Sequence, residues 1–315
     1  MSRGAPPVSG TIVAAFGRGY LVECGDGAPL ECVNRGKKGG LACGDRVKVT
    51  RSAPGQGAID AVEPRASLLY RSDPFREKLI AANVTQAAIV VSGHPLFSEE
   101  LLNRCLVAAE WQGLRVLIVL NKADLEQETQ RALTVLSPYR NLGYPVIPIC
   151  AKLDVAPLRE RLQGHSTVLV GQSGMGKSTL INALVPGADA PTREISRALG
   201  AGRHTTTHAR LYHLDAQSHV IDSPGMQEFG LHHLTGADMA EAFPEFRPLL
   251  GSCRFNDCRH AGEPGCAIAR EAEAGGISGR RLEFYRRMLP MAKKPDRAAR
   301  IEESHRRGAR RTAGT

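Results

Sequence analysis

The sequence predicts a multi-domain chain: a small N-terminal β-barrel, a central α/β layer and a C-terminal helical segment. Three observations predict it. From Val8 to about Pro64, short apolar stretches are punctuated by glycine, which argues a small barrel or sandwich. From about Ser72 onwards, near-continuous Val/Ile/Leu runs alternate with helical patterns, the mark of a parallel sheet covered on both faces. After about Leu231 the strand signals give way to helical patterns, a Cys/His cluster and a basic tail. The expected domains are therefore 1–66, 67–231 and 232–315.

The whole chain sets bounds on this reading. At 315 residues, 42% hydrophobic and 23% charged, it has ordinary globular composition and enough length for a sizeable core. No apolar run approaches the roughly eighteen residues that span a bilayer. The start MSRGAPPVSG lacks the apolar stretch of a secretory signal. A cytoplasmic monomer with no membrane partner is expected. The formal charge of +9 favours an anionic partner without naming one. Between Met291 and Thr315 eight Lys or Arg face three acids. Such a tail reads either as a solvated end or as a nucleic-acid-binding arm.

In the first part, GTIVAAF, GYLVEC, GDRVKV and GAIDAV fit an OB-like barrel by size. Barrels of this kind bind oligonucleotides or serve as packing modules, and both roles stay open.

In the second part, the strand candidates are VTQAAIVVSG, LRVLIVLNKAD, YPVIPIC, STVLVG and HVIDSPG, with helical stretches EELLNRCLVAAEWQG and TQRALTVLSPYR between them. After STVLV comes G-x-x-x-x-G-K-[ST], followed by a helical pattern: Gly171, Gly176, Lys177 and Ser178. Glycines let the backbone wrap a phosphate so that its N–H groups and the helix N-terminus face the negative charge. The run Gly171, Gln172, Ser173, Gly174, Met175, Gly176, Lys177, Ser178 and Thr179 is expected to line the phosphates. Lys177 would reach the β- and γ-phosphates and Ser178 would ligate Mg²⁺.

Base choice is read from Asn121, Lys122, Ala123 and Asp124, which close the strand LRVLIVL where ligands of such sheets bind. The Asp124 carboxylate can accept two N–H bonds from the edge of guanine, whereas adenine offers a lone pair there. Lys122 can lie along the base, and Asn121 can tie this loop to the phosphate loop. An ATP-driven enzyme is opposed by Asp124. Asp222 and Gly225 in DSPG suit a water-mediated Mg²⁺ contact and a γ-phosphate sensor. In the loop GRHTTTH, Thr206 is the first choice to complete the Mg²⁺ shell, with Thr205 and Thr207 close behind.

These motifs run in circularly permuted order, since NKAD precedes the phosphate loop by about fifty residues. A pocket defined in space survives such reordering. Met226 follows the glycine of DSPG, where Ras-like proteins carry a water-orienting glutamine, and a thioether cannot do that work. Slow intrinsic hydrolysis follows. His204 is the nearest catalytic substitute, the other reading being a solvent-exposed loop histidine.

In the third part, Cys253, Cys258, His260 and Cys266 form C-x₄-C-x-H-x₅-C. Three thiolates and one imidazole in a short polar loop suit one closed, structural Zn²⁺. The other five cysteines are scattered and read as free thiols.

Together, NKAD, GQSGMGKST, GRHTTT, DSPG and the cysteine cluster followed by GGISGRRLEFYRRML resemble the bacterial small-subunit ribosome biogenesis GTPases of the RsgA (YjeQ/YloQ) type. The resemblance spans nearly all the chain. It implies a circularly permuted P-loop GTPase with Mg²⁺ and GTP/GDP, binding the small ribosomal subunit and its 16S rRNA late in maturation, with hydrolysis promoting release. It also implies stimulation by the subunit and a part for His204. Cys150-Ala151-Lys152 stands where Ser-Ala-Lys is expected, with the Ala151 N–H serving the base. The alternative is a GTP-dependent regulator of a protein partner.

Overall fold

The structure is a computed structural model that describes residues 6–16, 19–25, 28–35, 40–72, 77–188, 190, 209–223 and 230–293. The chain divides into two compact units, Met1–Gly230 and Leu231–Thr315.

The first unit opens with five strands, β1 (Val8–Phe16), β2 (Gly19–Cys24), β3 (Leu30–Asn34), β4 (Arg46–Ala53) and β5 (Gln56–Val62). They pair in the order β1-β2-β3-β5-β4, and β4 returns to β1, closing a barrel. The β3–β5 pair is parallel and the other barrel pairs are antiparallel, the Greek-key order of an OB-like barrel. Period-2 alternation aims Ile12, Tyr20, Val22, Leu30, Val47, Val49 and Ile59 into one core. Each fully buried aliphatic side chain there contributes about 1.5–3 kcal/mol of transfer free energy.

A register shift between Ile12 and Ala14 bends β1, so that its first half pairs with β4 and its end reaches the α/β part. There Ala14 faces Arg210, and the Ala15 N–H donates to the Ala209 carbonyl at 3.3 Å. Barrel and α/β layer therefore share one eleven-stranded sheet among the described residues. A hairpin, β6 (Leu68–Ser72) and β7 (Glu77–Ala82), lies between them in sequence. Its apolar pattern is interrupted by Asp73, Pro74, Arg76 and Glu77, so no strand pair is expected there from the sequence.

The α/β part follows as β8 (Gln86–Ser92), α1 (Glu99–Trp111), β9 (Arg115–Asn121), α2 (Glu126–Asn141), β10 (Val146–Pro148), α3 (Ala156–Leu162), β11 (Ser166–Val170), α4 (Lys177–Leu184), β12 (Arg210–His213) and β13 (His219–Asp222). The strand order is β10-β9-β8-β11-β13-β12, parallel except for β12. All seven residues of β8 are buried, as a central strand covered on both faces requires. Because β8 sits between β9 and β11, the loops after β9 and β11 emerge at one edge of the sheet on either side of it. The antiparallel β12 was missed in sequence: four residues, two of them buried, carry too weak a pattern.

The second unit contains α5 (Gly236–Glu241), α6 (Ala267–Glu273) and α7 (Gly279–Met288). Thr235 and Asp238 form a reciprocal capping box that starts α5. Its core is aromatic: Phe243 stacks on Phe246 with centroids 4.7 Å apart, and both meet the Tyr285 ring edge-on. Buried Arg281 lies over Phe243 at 4.3 Å and pairs with Glu245 at 2.7 Å. No helix among the described residues is long and apolar enough to cross a membrane.

Candidate functional site

The loop from β11 to α4 is shaped by glycines in left-handed backbone. Gly171 has φ 142°, and a Cβ there would stand 2.3 Å from the Val90 carbonyl oxygen. Gly176 has φ 89°, and a Cβ there would stand 2.4 Å from Asn121 Nδ2. No L side chain fits either place. Lys177 begins α4 and folds back so that Nζ donates to the carbonyls of Gly171 (2.6 Å) and Gln172 (3.0 Å). Burial lowers the pKa of this ammonium, with Asp222 opposing the shift. Asp222 ends β13 and is buried; burial raises its pKa and Lys177 opposes the shift. An ammonium and a carboxylate, both costly to desolvate, thus stand close enough beside the loop to oppose each other's shifts.

The guanine-type motif is joined to this loop by one buried side chain. Asn121 donates from Nδ2 to the Met175 carbonyl (2.9 Å) and accepts the Ala151 N–H on Oδ1 (3.0 Å). Three loops separated in sequence are thereby locked to one another. Lys122, at φ 65°, sends Nζ to the carbonyls of His94 and Gly174, both at 2.8 Å. The Ala123 N–H donates to the Ile149 carbonyl at 3.0 Å, and Asp124 is exposed at the rim. Ser173 is exposed, while Ser178 and Thr179 are half-buried on the first turn of α4. His204, Thr206 and Gly225, with Met226, lie outside the described residues.

In the second unit the ligand atoms of Cys253, Cys258, His260 and Cys266 all lie within 4.8 Å of one another. His260 Nδ1 stands 3.6 Å from Cys253 Sγ and 3.5 Å from Cys266 Sγ, and the two sulfurs are 4.0 Å apart. A tetrahedron with Zn–S bonds of ~2.3 Å has sulfur–sulfur edges of ~3.8 Å, so the donor set fits one such ion. The surroundings hold the ligands in place. Ala267 N–H points at Cys253 Sγ (3.3 Å) and Ala269 N–H at Cys266 Sγ (3.5 Å). The Glu263 carboxylate gathers the Arg259, Ala261 and Gly262 N–H groups. From α7, Tyr285 donates to the Arg259 carbonyl (2.9 Å) and Arg286 to the His260 carbonyl (3.1 Å). Burial, with the neighbouring sulfurs, pushes the Cys258 thiol up to about 12. A bound cation inverts that balance, because only the thiolate ligates.

Residues 62–232 match the family model of the RsgA GTPase. The chain belongs to the RsgA GTPase family. It is 58% identical over 285 residues, 90% of this chain and 91% of the other, to the small ribosomal subunit biogenesis GTPase RsgA of Nitrosospira multiformis. A relative of the same description from Nitrosomonas europaea is 52% identical, covering 91% of this chain and 92% of its own. Among solved structures, YjeQ from Thermotoga maritima superposes with a TM-score of 0.68 at 30% identity, covering 90% of this chain and 97% of that one. YloQ, described as a circularly permuted GTPase, gives 0.66 at 27% identity, with coverage of 92% and 96%. The permuted order read from the motifs is thus the order of the RsgA GTPase fold.

One part of the site in this RsgA-family chain escaped the sequence reading. Ser92, His94, Pro95 and Ser98, in the turn from β8 to α1, contact the phosphate loop or Lys122. The available signal was positional: SGHP breaks a fully buried central strand at its C-terminal end, where open α/β sheets bind ligands.

Proposed function

We propose that this chain hydrolyses GTP while bound to the small ribosomal subunit, assists late maturation of that subunit, and leaves it when hydrolysis is complete. The carrying observation is the Asn121 side chain, which joins the guanine-type loop, the 151 loop and the phosphate loop into one pocket. The ribosomal target rests on the relatives' description as small ribosomal subunit biogenesis GTPases.

In this reading Asp124 reads the guanine edge, with Lys122 along the base and Ala151 beside it. Lys177 exchanges its two loop carbonyls for phosphate oxygens, and the N–H groups of 171–179 cradle the phosphates. Ser178, Thr206 and Asp222 would hold Mg²⁺, which would supply charge that neutralises the phosphates. Gly225 senses the γ-phosphate, and His204 orients water where Met226 cannot. Cys253, Cys258, His260 and Cys266 would hold a structural Zn²⁺, which would organise the C-terminal unit without a role in chemistry. The barrel (1–66) and the tail of the third domain (232–315) face 16S rRNA, the GTPase domain occupies 67–231, and the protein works as a cytoplasmic monomer.

GTP turnover with and without purified small subunits tests the reading, with co-sedimentation on the same preparation. Subunits should accelerate turnover. His204→Ala should lower the stimulated rate by roughly two orders of magnitude while leaving GTP and subunit binding nearly intact. No stimulation and no co-sedimentation in any nucleotide state would leave a regulator of some protein partner.

A further inference from the structure

The turn between β8 and α1 carries none of the signature residues, yet it contacts both the base lysine and the phosphate loop. Ser92 closes β8 with no exposed surface. Its hydroxyl lies 3.1 Å from the carbonyls of both His94 and Pro95, so it can donate to either, and 3.4 Å from Met175 Sδ. The same His94 carbonyl accepts from Lys122 Nζ at 2.8 Å, and that ammonium also donates to the Gly174 carbonyl at 2.8 Å. Further along, the Ser98 N–H donates to Gln172 Oε1 at 3.2 Å. At Gly174 a Cβ would stand 3.5 Å from Pro95 Cγ, so the two loops run in van der Waals contact.

A buried hydroxyl is retained at a cost unless it finds a partner. The partners of this one all belong to the turn or to the phosphate loop. Two carbonyls fix the Lys122 ammonium, one from each loop, and Ser92 orients the first of them. Burial lowers the pKa of that ammonium, with Asp124 opposing the shift, and the two carbonyls set its direction at 2.8 Å each.

We propose that Ser92 is a positioning residue for guanine-nucleotide binding, which fixes the 94–95 turn so that its carbonyl aligns Lys122 against the phosphate loop. The proposal rests on the reading of this pocket as the GTP site. It predicts that loss of the hydroxyl weakens ground-state binding through Lys122, with no direct effect on the hydrolytic step.

The test is a double-mutant cycle on the full-length, metal-replete chain, read as Kd for fluorescent GDP and GTP and as kcat at saturating GTP. Ser92→Ala should weaken both nucleotides about three- to tenfold, the scale of one neutral hydrogen bond, with kcat unchanged. In a Lys122→Met background the same change should cost less than about twofold, because the residue it acts through is gone. Ser92→Cys, close in volume and a weaker donor, should fall in between, and it carries the cycle if alanine disturbs folding. Unaltered Kd in Ser92→Ala, or the same loss in both backgrounds, would overturn the positioning role and leave Ser92 as packing. Failure of the wild-type chain to bind either nucleotide would overturn the GTP-site reading instead.

Discussion

At the scale of single residues, the site depends on polar side chains that have no solvent to fall back on. Asn121 is 2% exposed and serves two loops at once. Asn121→Ala would leave the Met175 carbonyl and the Ala151 N–H unpaired, at about 1–3 kcal/mol for each buried group. GTP and GDP affinity should fall at least tenfold in equilibrium binding, and unchanged affinity would show that the loops hold their register without it. Asp124→Asn replaces a two-acceptor carboxylate with an amide that presents a donor to a guanine donor. Competition of GTP against XTP should show weaker GTP binding and a shift of preference towards XTP. A pH effect belongs to His233, whose pKa is lowered to about 4 by burial, opposed by Asp238 and assisted by His232. Its folded value lies below the ordinary 6.5, so the unfolded chain binds more protons between those values. Stability from this group is complete above about pH 6.5 and is lost as pH falls towards about 4. Thermal midpoints across that range should decline, and His233→Gln should flatten the decline.

At the scale of elements, two local structures are held by interactions that helix or strand propensity does not supply. The cysteine loop contains few buried apolar groups, and its turn is shaped by Glu263, Tyr285 and Arg286 around four ligands. Metal removal, or Cys258→Ser, should loosen the C-terminal unit while leaving GDP binding near wild type. Metal analysis of carefully prepared protein should find about one zinc per chain; less than about half would count against the four-ligand site. The second case is Gly44, at φ 90°, where a Cβ would stand 2.2 Å from the Ala82 carbonyl oxygen. That close approach lets the Cys43 carbonyl accept the Ala82 N–H at 2.9 Å, and the Asn83 amide donates to the Gly44 carbonyl at 2.9 Å. Gly44→Ala combines backbone strain with a clash against main chain, and should cost about 2–4 kcal/mol in denaturant unfolding.

At the scale of the whole molecule, β1 ends by pairing with β12, so the barrel covers the edge of the α/β sheet. Removing residues 1–62 would expose the unpaired backbone of β12, an open template for association. The truncated chain should aggregate on concentration and melt at a lower temperature. A soluble monomer with an unchanged midpoint would show that β12 needs no cover.

Legible in the sequence alone are the permuted order of the nucleotide motifs, the barrel, and the grouping of Cys253, Cys258, His260 and Cys266. Each of these rests on local features: glycines placed for left-handed backbone, a carboxylate at a strand end, period-2 alternation, and four soft ligands within fourteen residues. The fold alone adds that the end of β1, still paired with β2, also pairs with β12 to extend the α/β sheet, and that the Ser92 turn packs against the phosphate loop and Lys122. These depend on which strand edge is free and which carbonyl comes within reach of Lys122 Nζ. Such facts arise when segments far apart in the chain meet, and no composition or spacing within a single segment encodes them.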